Sequence, residues 1–452
     1  MSDLKKSKRP QALYISPELP YPDTHGRRIR QAVQIEALAQ DYEVTVAVER
    51  QAPTIRSLEM AIERNLRVKS WTSPPIAHAD PTRSKLNVEG YFDEFRFAEA
   101  FSLYLAFIED LFDTVPPGLQ NANRSRYLSS LRSNRFDLVW VSRLATAWTI
   151  GAIGPFPSVL DMDDSESSAY KSQRMLADGM SVDEVLEVSR RVSEISRVEN
   201  ELGRAYDVVT FSAAQEAESA GLANARVLEN CVPPRLVPRS GRSNNSDRIL
   251  FIGLVEYTPN LHGICWFLKQ VWPRLRASRP AATLDIVGEC FNANAHPNLI
   301  CPPNVRLHGF VEDTSTLWEE ATLLVVPLFA GGGTRVKILE AWSRGVPVVT
   351  TTMGIAGLDA IDGVHALIAD TPEDFAKKCD ALLGSPALQE ALALAGGGLT
   401  GSKYTRDNAI AATRRIAQEA SARFMLRTQS DISDKAGGLM SGIASKAITP
   451  MN

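Results

Sequence analysis

Short apolar runs recur along this chain with helical periodicity between them, and that alternation restricts the fold to parallel α/β sheets. ALYIS (12–16), YEVTVAV (42–48) and LRVKSW (66–71) open the series, and FDLVWVS (136–142), SVLDMDD (158–164), YDVVTFS (206–212) and ARVLENC (225–231) extend it. The first run leads into a loop with three prolines, then Gly26, then Ile29, Val33, Ala37 and Leu38 at helical spacing. The segment PPRLVPRSGRSNNSD (233–247) is too polar and proline-rich to pack an element, so it reads as a linker. A second series follows: RILFIG (248–253), TLDIVG (283–288), NVRLHG (304–309), TLLVVPLF (322–329) and VPVVTT (346–351). The expected organisation is an N-terminal α/β domain over 1–232 and a C-terminal one over 248–404.

Three segments stand outside that pattern. Between 76 and 132 lies an insertion whose part EFRFAEAFSLYLAFIEDLF places Phe97, Phe101, Leu105 and Ile108 on one helical face, suited to a core or to a lipid or hydrophobic acceptor. Residues 405–424 form an amphipathic helix that can cross back to the N-terminal domain, and the Ser/Gly-rich 425–452 reads as a mobile tail. The 49 basic and 53 acidic residues leave a net charge of −4, which removes the case for a nucleic-acid binder; any anion site must be local. Five scattered cysteines without a CxxC pair read as reduced thiols. With no apolar leader and no run of about 18 apolar residues, the expected location is cytoplasmic. The basic KKSKR near the start is compatible with the inner face of a membrane.

The chemistry is concentrated in LLVVPLFAGGGTRVKILEAWSRGVPVVTTTMGIAGLD (323–359). A buried strand runs into Gly331, Gly332 and Gly333; Thr334 is a candidate N-cap, and a helix follows until Gly345. Glycines let backbone N–H groups approach a phosphate, and the start of a helix favours negative charge. Arg335 and Lys337 fall in the first turn, where cations oppose the dipole, so an anionic ligand accounts for them. Lys337 and Glu340 share a face and can present a cation to a phosphate and a carboxylate to sugar hydroxyls, as a nucleotide ribose requires. The alternative is a solvated Lys337–Glu340 pair. The spacing matches neither GxxxxGK[ST] nor the dinucleotide GxGxxG.

These residues resemble the retaining GT-B glycosyltransferases usually called family 4, in the subgroup with GxGxRxKxLEA. The resemblance rests on GGGTRVKILEAWSRGVPVVTT with GIAGL, on ILFIG…PN (250–260), on VRLHGFVED (305–313) and on LPYPDTHGRRIR, and it covers most of 12–424. It implies two Rossmann-like, doubly wound parallel-sheet domains facing across a cleft, a nucleotide-diphosphate sugar (UDP- or GDP-linked) held mainly by the second, a glycan or lipid-linked acceptor held mainly by the first, and no cofactor or metal. Glu340 matches the second Glu of that group's Glu-x7-Glu motif, which grips the ribose. The first Glu falls at Gly332, so the amides of Gly332 and Gly333 are the expected substitute. Arg335 and Lys337 replace the diphosphate-binding Arg and Lys of other relatives and stabilise the departing diphosphate. Gly309, Phe310 and Val311 match the base-contacting loop, and Gly26 the glycine that approaches the donor phosphates. His25 either contacts a sugar or is merely exposed. Arg143, Asp161, Asp163 and Asp164 lie at carboxyl strand edges, where they would meet an acceptor, the alternative for the acids being to cap the helix that follows. Two rival readings are an NDP-sugar 2-epimerase of the same fold and a non-catalytic nucleotide-sugar-binding scaffold.

Overall fold

A computed structural model describes residues 9–21, 26–48, 55–64, 66–70, 136–150, 156–176, 180–232, 247–288 and 302–446. His25, most of the linker and the insertion with Phe97, Phe101, Leu105 and Ile108 lie outside the described residues. The first half contains β1 (Gln11–Ser16), α1 (Gly26–Asp41), β2 (Glu43–Val48), α2 (Ile55–Glu63), β3 (Arg67–Ser70), β4 (Leu138–Ser142), α3 (Leu144–Ile150) and β5 (Ser158–Asp163). It continues with α4 (Glu166–Arg174), α5 (Val182–Ala205), β6 (Val208–Phe211), α6 (Ala214–Ser219) and β7 (Ala225–Val227). All pairings are parallel, in the order β3-β2-β1-β4-β5-β6-β7.

The second half contains β8 (Arg248–Ile252), α7 (Thr258–Trp266), α8 (Trp272–Ser278), β9 (Thr283–Val287), β10 (Val305–Gly309), α9 (Ser315–Glu320), β11 (Leu323–Val326), α10 (Val336–Ser343) and β12 (Val348–Thr350). After it come α11 (Thr352–Ile355), β13 (Leu367–Ile368), α12 (Pro372–Leu383), α13 (Pro386–Ser402) and α14 (Arg406–Lys446). Its parallel order is β10-β9-β8-β11-β12-β13. The two-residue β13 is too short to show a period in the sequence.

The central strands are apolar without alternation because both faces are covered. Tyr14 and Trp140 pack on one face of the first sheet and Leu13, Ile15 and Val139 on the other. Ile249 and Val325 do the same opposite Leu324 and Val348 in the second sheet. In each order the direction of winding reverses, between β1 and β4 and between β8 and β11. Open α/β sheets bind ligands outside the carboxyl ends of strands at such points.

The C-terminal helix ties the halves together. Ile416, Ala417 and Ala420 of α14 join the core of the first sheet with Tyr14 and Trp140, and Arg414 Nε pairs with Asp41 at 2.7 Å. The tail expected from 425 onward is instead helical as far as Lys446. An established helix adds a hydrogen bond for each residue it fixes, and this outweighs a Ser/Gly-rich composition.

Asp161 is a structural ion. Its carboxylate receives Arg30 Nη2 at 2.6 Å, Gln34 Nε2 and Thr210 Oγ1 both at 2.7 Å, and it is 1% exposed. Burial opposes its charge, but Arg30 and the hydrogen bonds from Thr210 and Gln34 outweigh that and lower its pKa. The expectation that Asp161 meets an acceptor is therefore corrected: its oxygens are already taken, below the cleft. Asp161→Ala strands a buried guanidinium and is expected to destabilise the chain by about 3–5 kcal/mol in urea denaturation; a loss below about 1 kcal/mol would contradict this role.

Candidate functional site

After β11 the chain passes through Pro327 to Arg335 before α10 begins. Gly331 and Gly333 have φ of 118° and 65°, conformations that glycine adopts freely. Arg335, with no side-chain capping bond, occupies the N-cap position. Thr334 is thus not the cap, and Arg335 precedes the first turn. The reason is competition from the other half: Thr334 Oγ1 accepts from Asn230 Nδ2 at 2.8 Å, while its N–H donates to Ser212 Oγ at 3.3 Å.

The glycine loop meets the N-terminal half throughout. Gly331 N–H donates to Ser172 Oγ at 3.0 Å and Gly333 N–H to Glu216 Oε1 at 2.9 Å. The amide of Gly333, expected to be a sugar contact, is therefore engaged by a carboxylate of the protein. A Cβ on Gly26 would lie 3.0 Å from Val336 Cγ2, so the start of α1 abuts the start of α10. The carboxyl ends of the two sheets face each other here.

Two cations stand at this seam. Arg335 is buried, and its Nη1 donates to the carbonyls of Gly332 and Gly333, so the guanidinium braces its own loop. Its Nε takes no partner, and burial lowers its pKa despite nearby Tyr257, Asp164 and Glu216. Lys337 Nζ donates to Asn260 Oδ1 at 2.8 Å and lies 5.1 Å from the centre of the Phe251 ring. Burial first, and Arg335 second, push its pKa down to about 7. Among the described residues, neither cation forms an ion pair with a carboxylate. The expected alternative, a Lys337–Glu340 pair, does not form: Glu340 Oε1 accepts from Arg344 Nη2 at 3.1 Å.

Three neighbouring strands end on glycine, and one of these glycines gives Lys337 its room. Gly253, Gly288 and Gly309 follow or close β8, β9 and β10 with φ of 147°, 145° and 68°. A Cβ on Gly253 would come within 2.7 Å of Lys337 Nζ, so the absent side chain leaves the ammonium its place at the switch point between β8 and β11. Beyond Gly309, Phe310 is 71% exposed, and Val311 packs half-buried on the core.

Across the seam, Arg143 and Asp163 both have positive φ, 80° and 65°, at the ends of β4 and β5. Such backbone is strained for residues with a side chain and concentrates at functional sites. Arg143 reaches Asp164 at 2.5 Å and Glu166 at 2.6 Å. Burial foremost, with neighbouring acids, raises the pKa of Asp163. Ser165 caps α4, so these acids are free of capping duty. Asn260, Asn230, Ser212, Ser172 and Glu216 were not singled out from the sequence; only Asn260, next to Pro259 at a helix start, lies in a segment that could have signalled it. No group of three or more His, Cys, Asp or Glu is placed to hold a metal among the described residues.

This geometry agrees with comparisons to known proteins. Residues 246–385 match the family of glycosyl transferases group 1. A curated relative, an uncharacterised 44.6 kDa protein in the cps region of Klebsiella pneumoniae, is 26% identical over 142 residues, which are 28% of this chain and 35% of that protein. The match thus spans about a third of that relative. Anabaena Alr3699/HepE in complex with UDP superposes with a TM-score of 0.61 at 15% identity, covering 92% of this chain and 100% of that one. WaaG, a glycosyltransferase involved in lipopolysaccharide biosynthesis, superposes with a TM-score of 0.56 at 15% identity over 90% and 99%. The chain has the two-domain GT-B fold. Among the described residues no helix is long and apolar enough to cross a membrane.

The glycine positions can be checked directly. A Cβ at Gly288 would fall 1.7 Å from the Gly253 carbonyl oxygen, on backbone that cannot yield as a side-chain tip can. Gly288→Ala is expected to lose more than about 1 kcal/mol in thermal denaturation, whereas a melting temperature equal to that of the unaltered chain would refute the packing described.

Proposed function

We propose that the chain is a glycosyltransferase that moves a sugar from a nucleotide-diphosphate sugar to a hydroxyl of a glycan or lipid-linked glycan, with retention of configuration and without a metal. One observation carries the reading: a half-buried lysine with no counter-ion among the described residues, beside Arg335, at the glycine-lined switch point of the second sheet. Two adjacent cations in poorly solvated surroundings favour a ligand with concentrated negative charge, and a pyrophosphate supplies it. Glu340, one turn along α10 and partly exposed, is then the acid for the ribose, and Gly309 to Val311 meet the base. UDP is the nucleotide we favour, because a protein of similar fold has been seen with UDP.

In transfer, the bond from the sugar's anomeric carbon to the diphosphate oxygen breaks, and negative charge grows on the diphosphate. Lys337 and the free Nε of Arg335 oppose that charge more strongly in the transition state than in the bound donor, which is what accelerates the step. The acceptor oxygen forms the new bond on the same face, and its proton passes to the departing phosphate. Arg143 and Asp163 line the acceptor side.

The test is incubation with sugar-labelled UDP-sugars and glycan or polyprenyl-linked acceptors, followed by product analysis. Label transferred with its anomeric configuration kept supports the reading; label found only on the nucleotide as an epimer overturns it. Lys337→Ala is expected to weaken UDP binding about a hundredfold, the scale of losing one charged contact of about 3 kcal/mol, and to leave uridine binding nearly unchanged in calorimetry. Equal losses would remove the phosphate assignment.

A pH dependence follows from the same lysine. Its pKa in the free protein is held down to about 7, and a bound anion favours its charged form. Above that pH the protein must take up a proton to bind. UDP affinity should therefore fall about tenfold per pH unit from about pH 7.5 upward, and Lys337→Arg should flatten the profile. An unaltered chain whose UDP affinity stays constant up to pH 9 would exclude this linkage.

A further inference from the structure

Position 332 has no side chain, and the structure shows what fills that space. A Cβ there would lie 3.0 Å from Asp164 Cβ, 3.2 Å from Asp164 Oδ2 and 3.2 Å from Glu216 Oε1. Two acids from the N-terminal half crowd this point of the glycine loop. They differ in their commitments. Asp164 is engaged by Arg143 at 2.5 Å. Oε1 of Glu216 accepts the Gly333 N–H at 2.9 Å, while Oε2 is buried and takes no hydrogen bond among the described residues. The Ser165 N–H nearby favours the charged form without bonding that oxygen.

A buried acceptor without a donor is rare and destabilising, so its partner is worth seeking. The neighbouring cations do not supply it. Arg335 is turned onto the carbonyls of its own loop, Arg143 onto Asp164 and Glu166, and Lys337 onto Asn260. Glu216 also borders a polar cavity of about 180 Å³ that lies within the N-terminal half, shared with Ser165, Ser168 and Ser219. A ligand seated by its pyrophosphate on Lys337 carries neutral donors of one kind in quantity, the hydroxyls of its sugar.

We infer that Glu216 is a positioning residue for the donor: from the N-terminal half, beside the glycine loop at Gly332 and Gly333, it accepts a hydroxyl of the transferred sugar. The inference rests on the donor reading given under Proposed function. It makes the site depend on both halves, since the carboxylate reaches the sugar only when α6 is docked on the glycine loop. It also explains the glycine: an acid at 332 would collide with two others of the same charge. Burial first, then Asp164 and Asp163, raise the pKa of Glu216 to about 7 against the hydrogen bond from the Gly333 N–H.

The test compares nucleotide with nucleotide-sugar. Binding of UDP, UDP-glucose, UDP-galactose and UDP-N-acetylglucosamine is measured by calorimetry for the unaltered full chain, Glu216→Gln and Glu216→Ala. For the tightest UDP-sugar, Glu216→Ala is expected to weaken binding about tenfold to a hundredfold while UDP changes by less than about twofold. Glu216→Gln, which keeps one acceptor oxygen and the shape, should recover part of the loss. Equal losses for UDP and UDP-sugar would mark Glu216 as a structural clasp and overturn the inference, as would tighter UDP binding or no change in either. If the unaltered chain binds none of these nucleotides, the donor reading falls and takes this inference with it. If UDP binds and weakens in Lys337→Ala while Glu216→Ala is silent, only the inference falls.

Discussion

An ammonium group held at the end of a parallel strand, with an amide oxygen and an aromatic face as its partners, is the constraint on which the rest of this molecule turns. Lys337 reaches the switch point between β8 and β11 from α10, and Asn260 meets it from α7. A helix selected only for stability would not place a lysine there, since the cation opposes the helix dipole and is poorly solvated. Its presence becomes intelligible once an anion shares the crevice. The strand ends follow from the same demand. Gly253 keeps a side chain away from the space that the ammonium uses, and Gly288 lets its strand end pack against the Gly253 carbonyl.

The second organising feature is the seam between the halves. The glycine loop is held by Ser172, Ser212, Glu216 and Asn230 through its amides and Thr334, while α14 crosses back to bury Ile416 and Ala417 in the first core. Beneath the seam, Arg30 and Asp161 fix α1 to β5, and strained backbone at Arg143 and Asp163 turns the strand ends toward the cleft. The first half thus does more than cover the second. It presents acids and hydroxyls to the same loop that we propose faces a phosphate.

The legibility of this arrangement differed sharply between elements. Twelve of the thirteen strands among the described residues overlap runs visible in the sequence, the central ones because a strand buried on both faces must be apolar throughout and the edge strand β10 by its alternation, while the two-residue β13 was invisible. The cations at 335 and 337 stood out because they break a local rule about helix starts. Glu216 broke no such rule: an acid in a short exposed helix looks like solvated surface until the opposite half is docked on it. Asp161 failed in the other direction, since a carboxylate at a strand end looks available until Arg30, Gln34 and Thr210 are found on it.

By itself the amino-acid order determined two parallel α/β units and a glycine-opened helix start bearing misplaced cations, because apolar period, turn residues and dipole preferences act over a few neighbours. Only the tertiary structure decided which amides of that loop were already engaged, that Lys337 met Asn260 rather than Glu340, and that an acid from the far half stood beside Gly332. Those outcomes depend on contacts between residues more than a hundred positions apart or on competition among partners. The physical reason is that hydrogen bonds and ion pairs are settled by distance in space, and a local pattern carries no information about which distant group will arrive first.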